Sequence, residues 1–151
     1  MYTLVVVDMQ PMFSTSQKLR TKAAVNRLLK KAIKDNAPII FLEYTRYGRT
    51  DPALLATVEG YESVHFRTKH TDDGSEEVHE VINAHNLPKK IRICGVNTNY
   101  CVRATIMGLL DKFPMTGIAE SIEVHEKACN SSWAHDLAIE DFKYLDQVSV
   151  V

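Results

Sequence analysis

The strongest constraint on the fold is an alternation. Short apolar runs rich in β-branched residues recur along the chain, and segments of helical spacing separate them. Residues 3–7 (TLVVV), 39–42 (IIFL), 63–66, 91–96 (IRICGV), 114–119 and 148–151 read as strands. The first two have no polar face, as expected of strands buried on both sides. Residues 17–35 place Leu19, Ala23, Val25, Leu28, Leu29, Ala32 and Ile33 between basic residues, which is helical spacing. Further helices are predicted over 75–85, 98–110 and 131–144, with a short one near 52–58. Ser75 is the expected cap of the first of these, and Ser131 or Ser132 of the last long one. Strands alternating with helices imply an α/β fold, with a mostly parallel sheet covered on both faces. A length of 151 residues fits one domain, 1–151.

Charge and cysteine usage narrow the function classes. Lysine and arginine number 18 against 19 aspartates and glutamates, a net charge of −1. That removes the electrostatic basis for nucleic-acid or membrane-surface partners. No apolar run approaches the roughly 20 residues of a membrane span. The opening MYTLVVVDMQ lacks the basic start of a signal peptide. Cys94, Cys101 and Cys129 form an odd set without a CxxC pair, so neither a disulfide framework nor a thiolate zinc site is expected. The expected location is the reducing cytoplasm.

In parallel α/β folds, ligands bind beyond the carboxyl ends of the strands, so residues that directly follow strands are the candidates. Asp8 follows the first strand. A carboxylate there is either a loop or capping residue, or a base at the sheet edge. Cys101 lies in the first turn of the helix after the fourth strand, where backbone N–H groups and the helix dipole favour a thiolate. Cys94, inside a strand, and Cys129 read as structural thiols. Lys69 lies past the third strand and acquires a role only if it meets Asp8 and Cys101 at one edge. Of the six histidines, none is spaced i, i+4 from another as a metal site requires.

Three segments carry a family resemblance, and a fourth adds to it. LVVVDMQPMF holds an apolar strand, D-x-Q and a following phenylalanine. Lys69 is followed by Asp73-Gly74-Ser75. ICGVNTNYCVRATIMGLL matches the pattern G-V-x-T-x-x-C-V-x-x-T, and the closing IAESIEVHEKACNSSWAHDLAIEDF fits a last strand–loop–helix. In these segments the chain resembles the isochorismatase-like cysteine hydrolases, which include nicotinamidases and N-carbamoylsarcosine amidases.

The resemblance implies a three-layer α/β/α sandwich with a six-stranded, mostly parallel sheet of order 3-2-1-4-5-6. It implies Cys101 as nucleophile, Asp8 as the base that accepts its proton, and Lys69 as the cation that steadies the pair. It also implies a cis peptide at Val96–Asn97 and an oxyanion hole formed by the Asn97 and Cys101 amides. Gln10, Phe13 and Tyr100 are the expected substrate contacts, with Tyr44 and Arg46 near the second strand's exit. The implied reaction is hydrolysis of a small amide or related C–N bond through a thioester, by a homo-oligomer with a small-molecule substrate.

The chain also departs from the family. Nicotinamidases hold a metal through an aspartate and histidines after the second strand. Here that region, FLEYTRYGRTDPALLATVEGYE, has no histidine, so no metal or other cofactor is expected. The aromatic that usually closes the lysine motif is replaced by Ser75. Two alternatives stand beside the amidase reading: a catalytically silent binding protein on the same scaffold, and a vinyl-ether hydrolase, although family members of that kind lack the cysteine.

Overall fold

A computed structural model describes residues 1–112 and 121–151. Its centre is a six-stranded sheet built from β1 (Thr3–Val7), β2 (Ile39–Tyr44), β3 (Val64–Lys69), β4 (Lys90–Val96), β5 (Ser121–Asn130) and β6 (Val148–Val150). The order is β3-β2-β1-β4-β5-β6, and every neighbouring pair runs parallel. Helices α1 (Leu19–Lys34), α2 (Pro52–Thr57), α3 (Ser75–His85), α4 (Arg103–Lys112) and α5 (His135–Phe142) flank it, making the three-layer α/β/α sandwich. Among the described residues, no helix is long and apolar enough to cross a membrane.

Burial explains the order. All five residues of β1 are buried, and so are the first five of β2, so these strands fill the middle of the sheet. Thr3 is tolerated there because its hydroxyl donates to the Pro88 carbonyl at 2.7 Å. β3 is only half-buried and forms one edge. The core consists mainly of the β1, β2 and β4 side chains together with Val25, Leu29, Val78, Val81, Ile82, Ile106 and Leu109 from the helices.

Several local expectations change. The buried face of α1 is Thr21, Ala24, Val25, Leu29 and Ala32, whereas Leu19 and Ala23 face outward. Leu19 and Ala23 lie roughly 120° and 160° around the helix from Val25, so they cannot share its face. Ser75 is the first residue of α3 rather than its cap. The Asp73 carboxylate accepts the Ser75 N–H at 2.8 Å and does the capping instead. The last helix begins at His135, after a left-handed Ala134, so neither Ser131 nor Ser132 caps it. The strand expected at Pro114–Ala119 lies outside the described residues, and the fifth strand of the sheet runs Ser121–Asn130.

Gly95 is the tightest point in the sheet. Its φ is +123°, and a Cβ there would sit 2.1 Å from the Val7 carbonyl oxygen. The close approach aligns the ends of β1 and β4, which carry Asp8 and Asn97. Gly95→Ala combines backbone strain with overpacking against backbone that cannot yield. It is expected to cost about 2–3 kcal/mol, read as a lowered urea midpoint at unchanged m-value.

Candidate active site

Asp8 leaves β1 in a left-handed conformation, φ 50°, which short polar side chains tolerate best after glycine. Its N–H donates to Leu42 at 3.0 Å, and its carbonyl accepts from Gln10 at 2.7 Å. This tight turn holds the carboxylate inside the protein, 1% exposed. Lys69 is the last residue of β3, paired in register with Tyr44, and is 0% exposed. Its Nζ lies 2.9 Å from Asp8 Oδ2, donates to the Thr71 carbonyl at 3.0 Å and sits 4.0 Å from the centre of the Tyr44 ring. The Lys69 ammonium and the Cys101 thiol are the side-chain hydrogen-bond partners of the Asp8 carboxylate. Burial pushes the Asp8 carboxyl above its usual range, and the Lys69 ammonium only partly offsets this.

Cys101 arrives from β4 through a π-type turn over Thr98–Val102. The Asn97 carbonyl accepts the N–H groups of Tyr100 and Val102 at 3.1 and 3.2 Å, so this pair skips the Cys101 amide. The Val96–Asn97 peptide is cis. The thiol is 4% exposed, and burial together with the Asp8 carboxylate pushes it well above the usual thiol range. The resting group is therefore a thiol with a basic carboxylate as neighbour. The helix N-terminus alone favours a thiolate; desolvation and the negative charge of Asp8 act against it and raise the thiol. Cys94 and Cys129 are buried within the sheet, and burial pushes both up, Cys129 to about 12.

Surrounding side chains fix this edge. Thr15 donates its hydroxyl to Asn97 Oδ1 at 2.7 Å. The Thr98 hydroxyl pairs with His135 Nδ1 at 2.8 Å, and Ser131 donates to Asn99 Oδ1. Gln10, expected as a substrate contact, is held by the backbone. Its amide nitrogen donates to the Tyr44 and Gly48 carbonyls at 2.9 and 2.7 Å, and its oxygen accepts the Tyr44 N–H at 2.8 Å. It is fully buried, and both amide protons are committed. Phe13 stacks on Tyr47 with ring centres 4.4 Å apart, and Tyr44 meets both edge-on. Tyr100 is 45% exposed, with its ring 6.1 Å from that of Trp133.

Two residues of this edge escape the sequence reading. Asp72 accepts from Cys101 Sγ at 3.8 Å and from the Tyr44 hydroxyl at 3.4 Å. Trp133 stands beside Tyr100. Both lie in loops that follow strands, Asp72 after β3 and Trp133 after β5, but nothing local marks their contacts, so only the folded chain reveals them. The region after β2 does not fit a metal. Glu43 Oε2 is taken by the Thr50 amide and hydroxyl at 2.6 and 2.9 Å, and Asp51 by Lys22, Gln17 and the Ala53 amide. Among the described residues, no group of three or more histidine, cysteine, aspartate or glutamate side chains is placed to hold a metal ion.

Structures of known proteins share this fold. The nicotinamidase SaPncA from Staphylococcus aureus superposes with a TM-score of 0.79 at 19% identity, covering 99% of this chain and 98% of that one. The pyrazinamidase/nicotinamidase from Streptococcus mutans UA159 gives 0.80 at 16% identity over 100% of both. The MAR1 ribonuclease from Caenorhabditis elegans gives 0.83 at 18% identity over 99% of this chain and 76% of that one. No curated protein sequence matches the chain. These likenesses establish the fold. The sequence itself matches the isochorismatase domain model from residue 2 to residue 145, a span that carries the β1, β3 and β4 ends described above, and the chain therefore belongs to the isochorismatase family.

Proposed function

We propose that the protein is a hydrolase of a small amide or related C–N bond, with Cys101 as its nucleophile. The observation that carries this reading is the pairing of a buried thiol with Asp8. That carboxylate is 1% exposed, and its side-chain partners are the Cys101 thiol and the Lys69 ammonium. Asp8 takes the proton from Cys101 Sγ as the sulfur adds to the substrate carbonyl carbon. The carbonyl π pair moves onto oxygen, and the Asn97 and Cys101 amides stabilise that charge. The C–N bond then breaks, the nitrogen takes the proton held by Asp8, and amine or ammonia leaves. Water, deprotonated by Asp8, attacks the thioester, and the C–S bond breaks to release acid and restore the thiol. Lys69 keeps Asp8 anionic in a site that would otherwise protonate it. Tyr100 and Phe13 supply aromatic surface for a planar substrate.

The family membership and the nicotinamidase neighbours support this choice of chemistry. Ammonia release from a panel of primary amides, nicotinamide among them, tests it, with Cys101→Ser as control. The pH profile offers a second test. Protonated Asp8 cannot accept the thiol proton, so kcat/KM falls as pH drops through the Asp8 pKa. Burial raises that pKa, so the acid limb is expected above the ordinary aspartate value of about 3.9. An acid limb at or below that value would remove Asp8 as the base.

A further inference from the structure

Asp72 stands beside the nucleophile, yet the reaction above does not use it. Its Oδ1 lies 3.8 Å from Cys101 Sγ and 3.4 Å from the Tyr44 hydroxyl. Unlike Asp8 it is exposed, so it meets an incoming molecule first. Its charge reaches inward as well, since it contributes to the upward shifts of Cys101, Asp8 and Tyr44. The cation of the cluster, Lys69, is wholly buried and engaged by Asp8, Thr71 and the Tyr44 ring. With the thiol protonated, two carboxylates outweigh one ammonium around the sulfur. The inner carboxylate, Asp8, is buried and already holds the Lys69 ammonium, which leaves the charge of Asp72 unmatched by a cation of its own in the cluster.

Arg46 is the opposing influence. It is exposed and lines a neighbouring depression of about 730 Å³ with Met12, Tyr44, Tyr47 and His70. A site governed by Arg46 would favour anions. Asp72 touches the nucleophile itself, and Coulomb energy falls with distance and with screening by water.

We propose that Asp72 selects substrates by charge, so that small amides bearing an ammonium group near the carbonyl are favoured over amides bearing a carboxylate. The proposal rests on the reading of Cys101 as the nucleophile. A substrate ammonium would replace the weak thiol and phenol donors on Asp72 with a charge-assisted hydrogen bond. After solvent screening, one charge at this range is expected to alter relative rates about tenfold.

The test compares alkylation of Cys101 by 2-bromoethylammonium and by iodoacetate, quantified on the Cys101 peptide and normalised to N-acetylcysteine amide. The ratio cancels differences in thiol ionisation. In the native protein the cation-to-anion ratio is expected about tenfold above the free thiol. Asp72→Asn should bring it down by most of that factor, Asp72→Lys should invert it, and Arg46→Gln should not lower it. A ratio indifferent to Asp72, or one favouring iodoacetate in the native protein, overturns the proposal. Ammonia release from β-alaninamide, butyramide and succinamate runs in parallel, with the first expected fastest and the last slowest. Release from none of the three with an Asp72-dependent labelling ratio contradicts the hydrolase reading while upholding charge selection at the thiol. Release from all three with a ratio indifferent to Asp72 does the reverse.

Discussion

Cys101→Ser is expected to lower kcat/KM for amide hydrolysis on the order of 10⁴-fold, with the fold intact by circular dichroism. Serine keeps the size and can donate a proton to Asp8. Its hydroxyl is far harder to ionise than a thiol. The imidazole bonded to this edge, His135, pairs with the Thr98 hydroxyl. The loss should therefore fall on kcat, because the substrate contacts remain. Turnover within a factor of ten of the native protein would show that another group performs the attack, as a vinyl-ether hydrolase would require.

Lys69→Met should be the most damaging substitution for stability. It removes the ammonium 2.9 Å from a carboxylate that is 1% exposed and has no other cation beside it in the cluster. Breaking one partner of a buried ion pair typically costs about 3–5 kcal/mol, because the survivor is left charged in a poor solvent. Adding Asp8→Asn to Lys69→Met should recover a large part of that loss, since removing both charges removes the desolvation penalty as well. Urea unfolding of the four members of this cycle measures the coupling. A double variant that is as unstable as the sum of the singles would mean that Lys69 matters for its packed methylenes and not for the charge. Neither variant should turn over amides, and this separates the stabilising and chemical parts of the pair.

What the sequence discloses is what local patterning controls. The apolar runs at 3–7 and 39–42 have no polar face, so they predict central strands, and the sheet places both inside its edges. Each candidate at a strand exit lands at the same edge because parallel strands all point one way. Asp8, Lys69 and Cys101 are brought together by that topology, although 61 and 32 residues separate them in turn along the chain. Tertiary partners decide the rest. Nothing local indicates that the Gln10 amide is committed to the backbone at Tyr44 and Gly48. Asp72 is an ordinary turn aspartate until the loop after β3 folds against Cys101. The helix N-terminus argues for a thiolate at Cys101, but the burial and the Asp8 charge that reverse this arise only from packing. Serine caps were expected at α3 and α5. An aspartate caps the first, and a left-handed alanine precedes the second, so choices among neighbouring polar residues lie below what pattern resolves.

The central claim is that Cys101 carries the acyl group. During steady turnover of whichever panel amide releases ammonia fastest, acid quenching followed by mass spectrometry of the Cys101 peptide tests it most directly. The expected result is a fraction of that peptide heavier by the substrate's acyl group, with Cys94 and Cys129 unmodified and no adduct in Cys101→Ser. Sustained ammonia release with an unmodified Cys101 peptide, and with Cys101→Ser still turning over at the native rate, would contradict it.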